Sequence, residues 1–408
     1  MKNWFLITIL IFFEASLSTA PPSAAAESVT FANARELILS RNSGLKSTIT
    51  DIDAAKAGIG QAGVLPNPDI SVSLDKFGAN EIEATVEQRI ELGDKRKLRT
   101  GAAQKEIEKA INVSQVSKVE LESEIVRRFI PIAITTNMLE AVDSILKISE
   151  VTRDQIQKRV DAGGSRMTDL VRIEIDIEQL KLERSELLNK NKQARLKFAA
   201  LGSEQDTALV NVTGDLDEIP LPDIGILKKS VESNPVYKSF AIDQSLLETQ
   251  RRQLHADAIP DLNLSAGYLR SNTDHYNSPL VGLSMTIPVF NKNTAAQKQL
   301  ELKWKAVGEQ QVNVQRLLTA DIEDIHSQIV IIDRKLQALM SSTIPKAQQV
   351  YVMLQEYYNA GNAGFLDLAE AQAEMLRLKL EIIEMQQERA LRLADLMQIT
   401  ATNIQFIK

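Results

Sequence analysis

The side chains that could bind a metal or transfer a proton are few and widely spaced. His255, His275 and His326 stand far apart, and none belongs to a cluster with the ligand spacing of a metal site. His326 falls inside a predicted helix, where a solvated or interhelical histidine is the ordinary case. The nine methionines are scattered at helical spacings, which is typical of core packing rather than of a copper relay. The sequence therefore predicts no catalytic residue, no cofactor and no metal site, and the protein is not expected to be an enzyme.

One polar motif nevertheless occurs twice, and every matched residue recurs 198 positions later. The matched pairs are Ala162 with Ala360, Gly163 with Gly361, Asp169 with Asp367 and Leu170 with Leu368. Apolar residues then continue at spacings of three and four, the seam of a coiled coil. No Gly-Lys-Ser/Thr follows the glycines, so a phosphate loop is excluded. Each copy is predicted to be a glycine turn that joins two antiparallel helices.

Two interpretations of Asp169 and Asp367 remain open. An acidic side chain in the first turn of a helix caps backbone amides and favours the helix dipole. Copies of the same residues arranged as a ring would attract cations and help to gate a pore, and this role is compatible with capping. The candidate site residues at the two turns are Gly163, Gly164, Asp169, Leu170, Gly361, Gly364, Asp367 and Leu368.

Composition and the N-terminal residues limit the class of protein. The 408 residues carry a net charge of −7, which argues against a nucleic-acid binder, and the absence of cysteine excludes disulfides and a lipidated N-terminal cysteine. Lys2, the apolar run Trp4 to Phe13 and the small residues before Glu27 predict a signal peptide over residues 1–26. A membrane anchor is the alternative, but this run is too short to span a bilayer. No later run reaches eighteen apolar residues, so a membrane crossing would need β-strands.

The duplication divides the mature chain into two repeats, 27–225 and 226–408. Asn42 and Asn234 occupy equivalent positions, 192 residues apart, at the start of a helix in each repeat. The first repeat is predicted to contain a helix at 43–62, a hairpin at 69–92, a long helix at 95–160, a tip turn at 161–169, a return helix at 165–200 and an equatorial segment at 201–225. The second repeat is predicted to contain a helix at 235–258, a hairpin at 261–290, a long helix at 295–360, a tip turn at 359–367 and a return helix at 364–400.

The hairpins and helices have dimensions that do not suit a compact globule. Apolar and polar residues alternate in the strands, which approach the ~9–11 residues that a tilted strand needs to cross a bilayer. A soluble two-hairpin sheet is the alternative. Each long helix would extend roughly 100 Å, and Pro131 and Pro345 are expected to kink or unwind it locally. We expect helix 235–258 to continue return helix 165–200, and helix 43–62 to continue return helix 364–400.

This plan resembles the TolC-like outer-membrane efflux proteins over nearly the whole mature chain. The resemblance rests on the duplicated hairpin and long helix, on the paired turns and on Leu65-Pro66-Asn67-Pro68 before the first strand. Ile90-Glu91-Leu92-Gly93-Asp94-Lys95-Arg96 is similar to the heavy-metal branch (cobalt–zinc–cadmium or copper–silver), and Ile287-Pro288-Val289-Phe290-Asn291 to the family's end of the fourth strand.

The resemblance implies a mainly α protein with membrane β-structure. Three chains with four strands each would close a twelve-stranded barrel in the outer membrane of a Gram-negative bacterium, above a helical tube in the periplasm. Such a passive duct docks on a periplasmic adaptor and an inner-membrane pump of the resistance–nodulation–division class, with heavy-metal cations as the expected cargo. Multidrug efflux and type I secretion use the same architecture, and a periplasmic coiled-coil scaffold or adaptor is the alternative of another class.

Overall fold

The computed structural model describes residues 29–75, 80–202, 207–214, 220–273 and 275–401. The predicted signal peptide lies outside these residues, as do residues 76–79 of the first predicted hairpin and parts of the predicted equatorial segment. The described helices are α1 (Phe31–Arg41), α2 (Ser43–Ala62), α3 (Lys95–Asp161), α4 (Met167–Ala199), α5 (Ile224–Ser230), α6 (Pro235–Asp257), α7 (Thr294–Ala338), α8 (Ile344–Asn359) and α9 (Phe365–Thr400). The described strands are β1 (Val29–Thr30), β2 (Asp69–Asp75), β3 (Glu81–Ile90), β4 (Val212–Thr213), β5 (Leu262–Ser271) and β6 (Tyr276–Met285).

Two equivalent asparagines fix how the shorter helices stack end to end. The side chain of Asn42 accepts from the amide of Leu45 and so caps α2, while its Nδ2 donates to the carbonyl of Leu201 at the end of α4. Asn234 caps α6 in the same way and donates to the carbonyl of Ile399 in the last turn of α9. Helix α2 therefore continues α4, and α6 continues α9. The pairing expected from the sequence was the wrong way round, because each asparagine bonds a helix end that the repeat pattern alone does not identify.

The long helices form a single layer with α3 in the middle. Along its first half α3 packs between α2 and α6, and along its second half between α4 and α9. Helix α7 packs on α6 and α8 packs on α9, so α7 and α8 lie on the far side of the layer from α2 and α4. The layer therefore has two lateral edges, one formed by α2 with α4 and the other by α7 with α8.

The four long strands form one antiparallel sheet in the order β2-β3-β5-β6. The alternation of apolar and polar residues predicts a polar loop at 271–278 and a strand at 280–290. Strand β6 instead begins at Tyr276, because Tyr276 pairs with Ser271 and leaves only a short turn between β5 and β6. It ends at Met285 rather than near residue 290, before Pro288, which has no amide to donate. Pro279 is accommodated because β6 is an edge strand.

The main core lies at the middle of the helices, where α1 and the short β1–β4 ladder cross them. The rings of Phe31 and Phe129 are 4.7 Å apart, and those of Phe129 and Phe198 are 6.0 Å apart. Isoleucine and leucine side chains of α3, α7 and α9 complete this belt. Helix α3 passes through the belt without a break at Pro131, since buried side chains pack on both sides of the proline. At Pro345 the expected local unwinding is confirmed: a π-turn, Leu339–Thr343, separates α7 from α8.

One described helix, α3, is long and apolar enough by length and composition to cross a membrane. Half of its most apolar window, of mean hydropathy 1.3, is buried inside the molecule. A helix that crosses a protein core has the same properties, and the buried belt accounts for the apolar residues of α3.

Candidate functional site

The two predicted turns have the same backbone geometry. Gly163 has a φ of +76° and Gly361 a φ of +78°, values that a side chain disfavours. The amide of Gly164 donates to the carbonyl of Arg159 and that of Gly163 to the carbonyl of Val160. Gly361 and the residue after it repeat both bonds. Each long helical run therefore ends in a Schellman motif, in which glycine supplies the left-handed residue.

The two turns lie side by side, because the helices that follow them share one apolar cluster. Leu170 and Leu368 are 4% and 2% exposed, and both belong to this cluster. Its other buried members come from α3, α4, α8 and α9: Ile156, Ile173, Ile177, Tyr358 and Phe365. The structure thus brings all eight sequence-predicted residues to one end of the molecule. The four glycines remain exposed there, while the two leucines anchor the turns.

Asp169 and Asp367 differ in their surroundings despite their equivalent positions. A carboxylate oxygen of Asp367 accepts from the amide of Gly364 at 3.2 Å, so Asp367 caps the start of α9 and is exposed. Arg166, which precedes α4, has no side-chain cap bond, and Asp169 is half-buried. Both aspartates still lie in the first turn of a helix, where the helix dipole favours negative charge.

Arg159 ties the two turns together, and the sequence patterns did not single it out. Its Nη1 donates to the carbonyl of Tyr358 at 2.7 Å, and its guanidinium carbon lies 4.7 Å from the centre of that ring. The Tyr358 ring also meets the edge of Phe365, at 6.3 Å between centroids. The available signal was a basic residue in the last turn of a long helix, where carbonyls lack partners.

The other candidate chemistry stays dispersed in the structure. His255 lies beside Arg251 and Arg252 near the end of α6, His275 is a positive-φ residue of the β5–β6 turn, and His326 is half-buried on α7. Among the described residues there is no group of three or more His, Asp or Glu side chains arranged to hold a metal. Of the methionines, Met375 and Met397 of α9 are core residues, as core packing predicts, and Met385 on the same helix is half-buried. The prediction is wrong for Met167, Met285, Met340 and Met353, which are exposed.

At the end of the molecule opposite the two glycine turns, basic side chains near the start of α3 form hydrogen bonds that connect the helices to the strands. The Nζ of buried Lys95 donates to Asp261 at 2.6 Å and to the carbonyl of Ile259 at 2.8 Å. Arg99 donates from Nη1 and Nη2 to the carboxylate of Glu91, and from Nε to the carbonyl of Ala62 at the end of α2. The hydrogen bond to Glu91 is the main reason that the pKa of Arg99 is raised.

Gly93 permits this junction to pack closely. Its φ is +74°, and a Cβ there would stand 2.5 Å from Cδ1 of Ile259. The segment that follows β3 was noted above for its resemblance to the metal branch, and these contacts give it a structural role. It fixes the angle at which the strands leave the helices.

The sheet has one apolar face and one mainly polar face. Cross-strand partners on the apolar face include Val72 with Ala84, Ala84 with Tyr268, and Leu264 with Leu283. Large side chains of this face are exposed on every strand: Ile70, Val72, Leu74, Ile82, Val86, Ile90, Leu264, Tyr268, Val281, Leu283 and Met285. The opposite face is mainly polar and carries carboxylates, hydroxyls, an amide and glycine: Asp69, Ser71, Ser73, Glu81, Glu83, Thr85, Glu87, Asn263, Ser265, Gly267, Ser278, Gly282 and Ser284. Leu269, Tyr276 and Leu280 also lie on this face. Such a surface is stable in water only if something apolar covers the first face.

Comparison with known proteins gives consistent matches. Residues 226–402 match the family described as Outer membrane efflux protein. The cobalt-zinc-cadmium resistance protein CzcC of Cupriavidus metallidurans is 24% identical over 373 residues, covering 89% of this chain and 87% of CzcC.

Solved structures give the same result for the fold. The outer membrane protein VceC of Vibrio cholerae superposes with a TM-score of 0.73 at 15% identity, covering 92% of this chain and 97% of VceC. The channel CusC superposes with a TM-score of 0.71 at 12% identity, covering 91% of each chain. The chain therefore has the TolC-like fold predicted from its sequence.

Proposed function

We propose, from the premise that residues 226–402 form a domain of the outer membrane efflux protein family, that three copies of this chain build one exit duct. The apolar sheet face and the match of residues 226–402 to the outer membrane efflux protein family support a location in the outer membrane of a Gram-negative bacterium. In the duct, twelve strands close a barrel and the helices continue it as a tube in the periplasm. The duct is passive, because the energy and the choice of cargo belong to its partners.

The single observation that carries this proposal is the sheet. Its outer face is apolar and exposed along all four strands, while its other face is mainly polar. A sheet in a bilayer cannot leave its edge amides and carbonyls unpaired, so β2 and β6 need partners. Pairing β6 of one copy with β2 of the next satisfies both edges when the ring closes. Strands β3, β5 and β6 have 10 residues each, within the ~9–11 that a tilted transmembrane strand needs.

The helices support closure along the same two edges. Strand β2 follows α2 along the chain and β6 leads towards α7, so the sheet edges and the helix-layer edges coincide. Of the twenty-two large apolar side chains exposed on the long helices and the π-turn, seventeen lie on the edge elements and five on α3, α6 and α9. Those of one edge are Ile49, Met167, Val171, Ile175, Leu182, Leu188 and Leu196. Those of the other edge are Leu302, Trp304, Val312, Leu317, Ile331, Met340, Val350, Val352, Met353 and Tyr357.

These edges are different surfaces that would meet head to tail. Such a heterologous contact produces a ring when its rotation closes. Three four-stranded sheets give twelve strands, a number within the range of natural outer-membrane barrels.

The proposed cargo is heavy-metal cations, supplied by an inner-membrane pump of the resistance–nodulation–division class through a periplasmic adaptor. The likeness to the cobalt-zinc-cadmium resistance protein CzcC favours this cargo over drugs or proteins. The exposed turns at Gly163-Gly164 and Gly361–Gly364 are the proposed contact with the adaptor. There the contact would be helix-end packing, since the described turn residues offer no metal site.

The first test is the mass of the signal-cleaved protein extracted from membranes in detergent, measured by light scattering with crosslinking. We expect a detergent-dependent species of about three chain masses. A monomer or dimer that stays in solution without detergent would refute the duct and favour the periplasmic scaffold. The cargo has its own test, in which deletion of the gene in its host should lower tolerance to cobalt, zinc or cadmium. Loss of tolerance to dyes or antibiotics alone would assign the duct to multidrug efflux.

A further inference from the structure

A cavity of about 640 Å³ lies where the helices meet the sheet, between α3, α6 and the start of α7. Its lining extends from Gly93 and Ile259, next to the strands, to Gly101 of α3 and Thr249 of α6. The volume is within the range of about 300–1,000 Å³ that is typical of small-molecule sites. The cavity is therefore large enough for a ligand, and its lining indicates which kind.

The polar part of the lining is basic. Arg251 and Arg252 both donate to Glu248, and Arg252 uses only its Nε for this bond. The two terminal nitrogens of Arg252 and the Nζ of Lys97 have no hydrogen bond or ion pair within the described part of the chain. Three bases against the carboxylates of Glu248 and Asp94 leave one positive charge uncompensated at the cavity.

Neighbouring groups do not supply the missing negative charge. Glu301 interacts electrostatically with Arg251, but both Lys298 and Lys305 pair with this carboxylate. The position of Lys97 is also unfavourable for the helix itself, because it lies in the first turn of α3, where the helix dipole disfavours a positive charge. The basic wall is therefore not explained by contacts that stabilise the fold.

A glycine keeps the cavity open, and apolar side chains form its other wall. Gly101 lies inside α3, where glycine is less favourable than alanine. A Cβ at this position would meet only Cγ2 of Thr249, at an ordinary 3.8 Å, so the packing of α3 does not require glycine. Leu98, Ala256 and Ile259 line the same space. The cavity thus offers unpaired cations beside an apolar surface.

The strands give the level of the cavity relative to a bilayer. Ile90, the last residue of β3, pairs with Leu262, the first residue of β5. Gly93 and Ile259 are three residues beyond this pair, at most about 10 Å along the chain. A bilayer has a hydrocarbon core of about 30 Å within a total thickness of about 40–45 Å, so each headgroup layer is about 5–8 Å deep. With the strands across the core, the cavity begins at the level of the headgroups.

We infer that this cavity binds the phosphodiester group of a glycerophospholipid in the periplasmic leaflet. Lys97 and Arg252 donate to the phosphate oxygens, and the apolar wall holds the part of the lipid next to the phosphate. Lysine and arginine are the usual partners of phosphate, and the single uncompensated positive charge matches the single negative charge of a phosphodiester. The inference rests on the proposed function, because only a chain that crosses the membrane brings the cavity to this level. A free phosphate ion presents the same oxygens, and the experiment separates the two sources.

Native mass spectrometry of the delipidated full-length protein in detergent, titrated with phosphatidylglycerol, tests the site. We expect one lipid to be retained per chain. Lys97→Gln combined with Arg252→Gln should weaken retention about tenfold or more, the effect expected when charge-assisted hydrogen bonds are lost. Lys118→Gln combined with Lys192→Gln is the matched control, since it removes two exposed bases of α3 and α4 outside the cavity and should change retention little.

A cavity-filling variant tests the site without changing its charge. Gly101→Leu would place a side chain in the space beside Thr249 and should also weaken retention of phosphatidylglycerol. Light scattering shows whether this variant still folds and assembles, and the charge variants decide the question if it does not. Diacylglycerol, which has the acyl chains without the phosphate, should not be retained by the unsubstituted protein.

The remaining outcomes distinguish the site, its ligand and the duct. Equal retention of phosphatidylglycerol by the cavity variants and the control would overturn the site. Binding of inorganic phosphate that Lys97→Gln and Arg252→Gln abolish, without retention of phosphatidylglycerol, would overturn the lipid as its ligand. A monomer in detergent would refute the duct, whereas a trimer that retains no lipid would refute this inference alone.

Discussion

Gly163 is the residue on which the first turn depends most directly. Its φ of +76° lies far from the value near −65° that proline requires. Its amide also donates to the carbonyl of Val160, and proline would remove that donor. We expect Gly163→Pro to abolish efflux, measured as metal tolerance of the host, while the protein still reaches the outer membrane in normal amount.

Gly164→Ala is the matched control for this substitution. The φ of Gly164 is not positive, and an added Cβ would meet the carbonyl oxygen of Arg159 at an ordinary 3.5 Å. This variant keeps the turn backbone and adds one methyl group to the proposed contact surface, so it should reduce tolerance far less than Gly163→Pro. Full tolerance in Gly163→Pro would show that the first turn is not part of the working contact.

Asp176 on α4 gives a prediction about pH. Desolvation raises the pKa of this half-buried carboxyl, and the positive charge of Arg172 opposes the shift only in part. A carboxyl whose folded pKa is raised costs stability while it is ionised, and the cost disappears as pH falls through that pKa. Asp176→Asn should therefore raise the thermal unfolding midpoint at pH 7, and the difference should vanish at about pH 3, below the ordinary carboxyl pKa.

Glu178→Gln, on the same helix, tests whether burial is the cause. Glu178 is exposed and paired with Lys181, so its replacement should move the midpoint little at any pH. A pH-independent gain in Asp176→Asn would point to packing rather than to the charge of Asp176.

Single residues could be predicted from the sequence where a residue type has one main structural role. A glycine that recurs at the end of two long helical patterns predicts a left-handed turn, and Gly163 and Gly361 have that geometry. Arg159 could not be predicted, because its partner is a backbone carbonyl 199 residues away and carbonyls leave no trace in a sequence. Lys95 lies in the segment singled out for its resemblance to the metal branch, but its contacts with Asp261 and with the carbonyl of Ile259 could not be predicted, because these partners are 166 and 164 residues away.

At the element scale, the start of α9 gives a way to separate the two interpretations of the aspartates. Asp367→Ala removes the acceptor for the amide of Gly364, and a lost cap costs about 0.5–1 kcal/mol. The amides of residues 365–368 should then exchange about two- to fivefold faster, since 1.4 kcal/mol corresponds to a factor of ten. Asp169→Ala has no side-chain cap bond to remove at Arg166 and should change the exchange at the start of α4 less.

Cation selectivity of the reconstituted duct supplies the second readout for the same two variants. If the aspartates act only as helix caps, neither substitution should change the reversal potential in a salt gradient. If they form a charged ring, both substitutions should lower the preference for cations. If the substitutions change the hydrogen exchange but not the cation selectivity, helix capping is the only role of the two aspartates.

Helices and strands could be predicted where the hydrophobic pattern is long and periodic. They were less predictable where contacts with a distant part of the chain set their bounds or their neighbours. Helix α3 was expected at 95–160 and runs Lys95–Asp161. Strand β6 was placed too late, because its start depends on the pairing of Tyr276 with Ser271 rather than on its own alternation. The stacking prediction assigned α2 and α6 to the wrong return helices for a similar reason. Either helix could continue either return helix by length, and the bonds of Asn42 and Asn234 decide between them.

At the scale of the whole molecule, the two edges of the helix layer give the most direct test of assembly. Leu182 of α4 is 67% exposed in the single chain and would be covered by the α7–α8 edge of the next copy. Burying a carboxylate there without a partner is unfavourable enough to prevent the contact. We expect Leu182→Glu to reduce the trimer to a monomer in detergent, measured by light scattering.

Val113 of α3 provides the control, since it is a comparable apolar side chain, 47% exposed, on the middle helix of the layer. Val113→Glu should leave the trimer intact, because α3 has α2 and α6 on either side and lies at neither edge of the layer. A substitution on the opposite edge, Met353→Glu, should act like Leu182→Glu, since a heterologous contact is lost when either of its surfaces is changed. If Leu182→Glu and Met353→Glu both remained trimeric, the copies would have to meet through other surfaces. The proposed pairing of β6 with β2 would then lose its structural basis, because the same edges carry the strands and the helices.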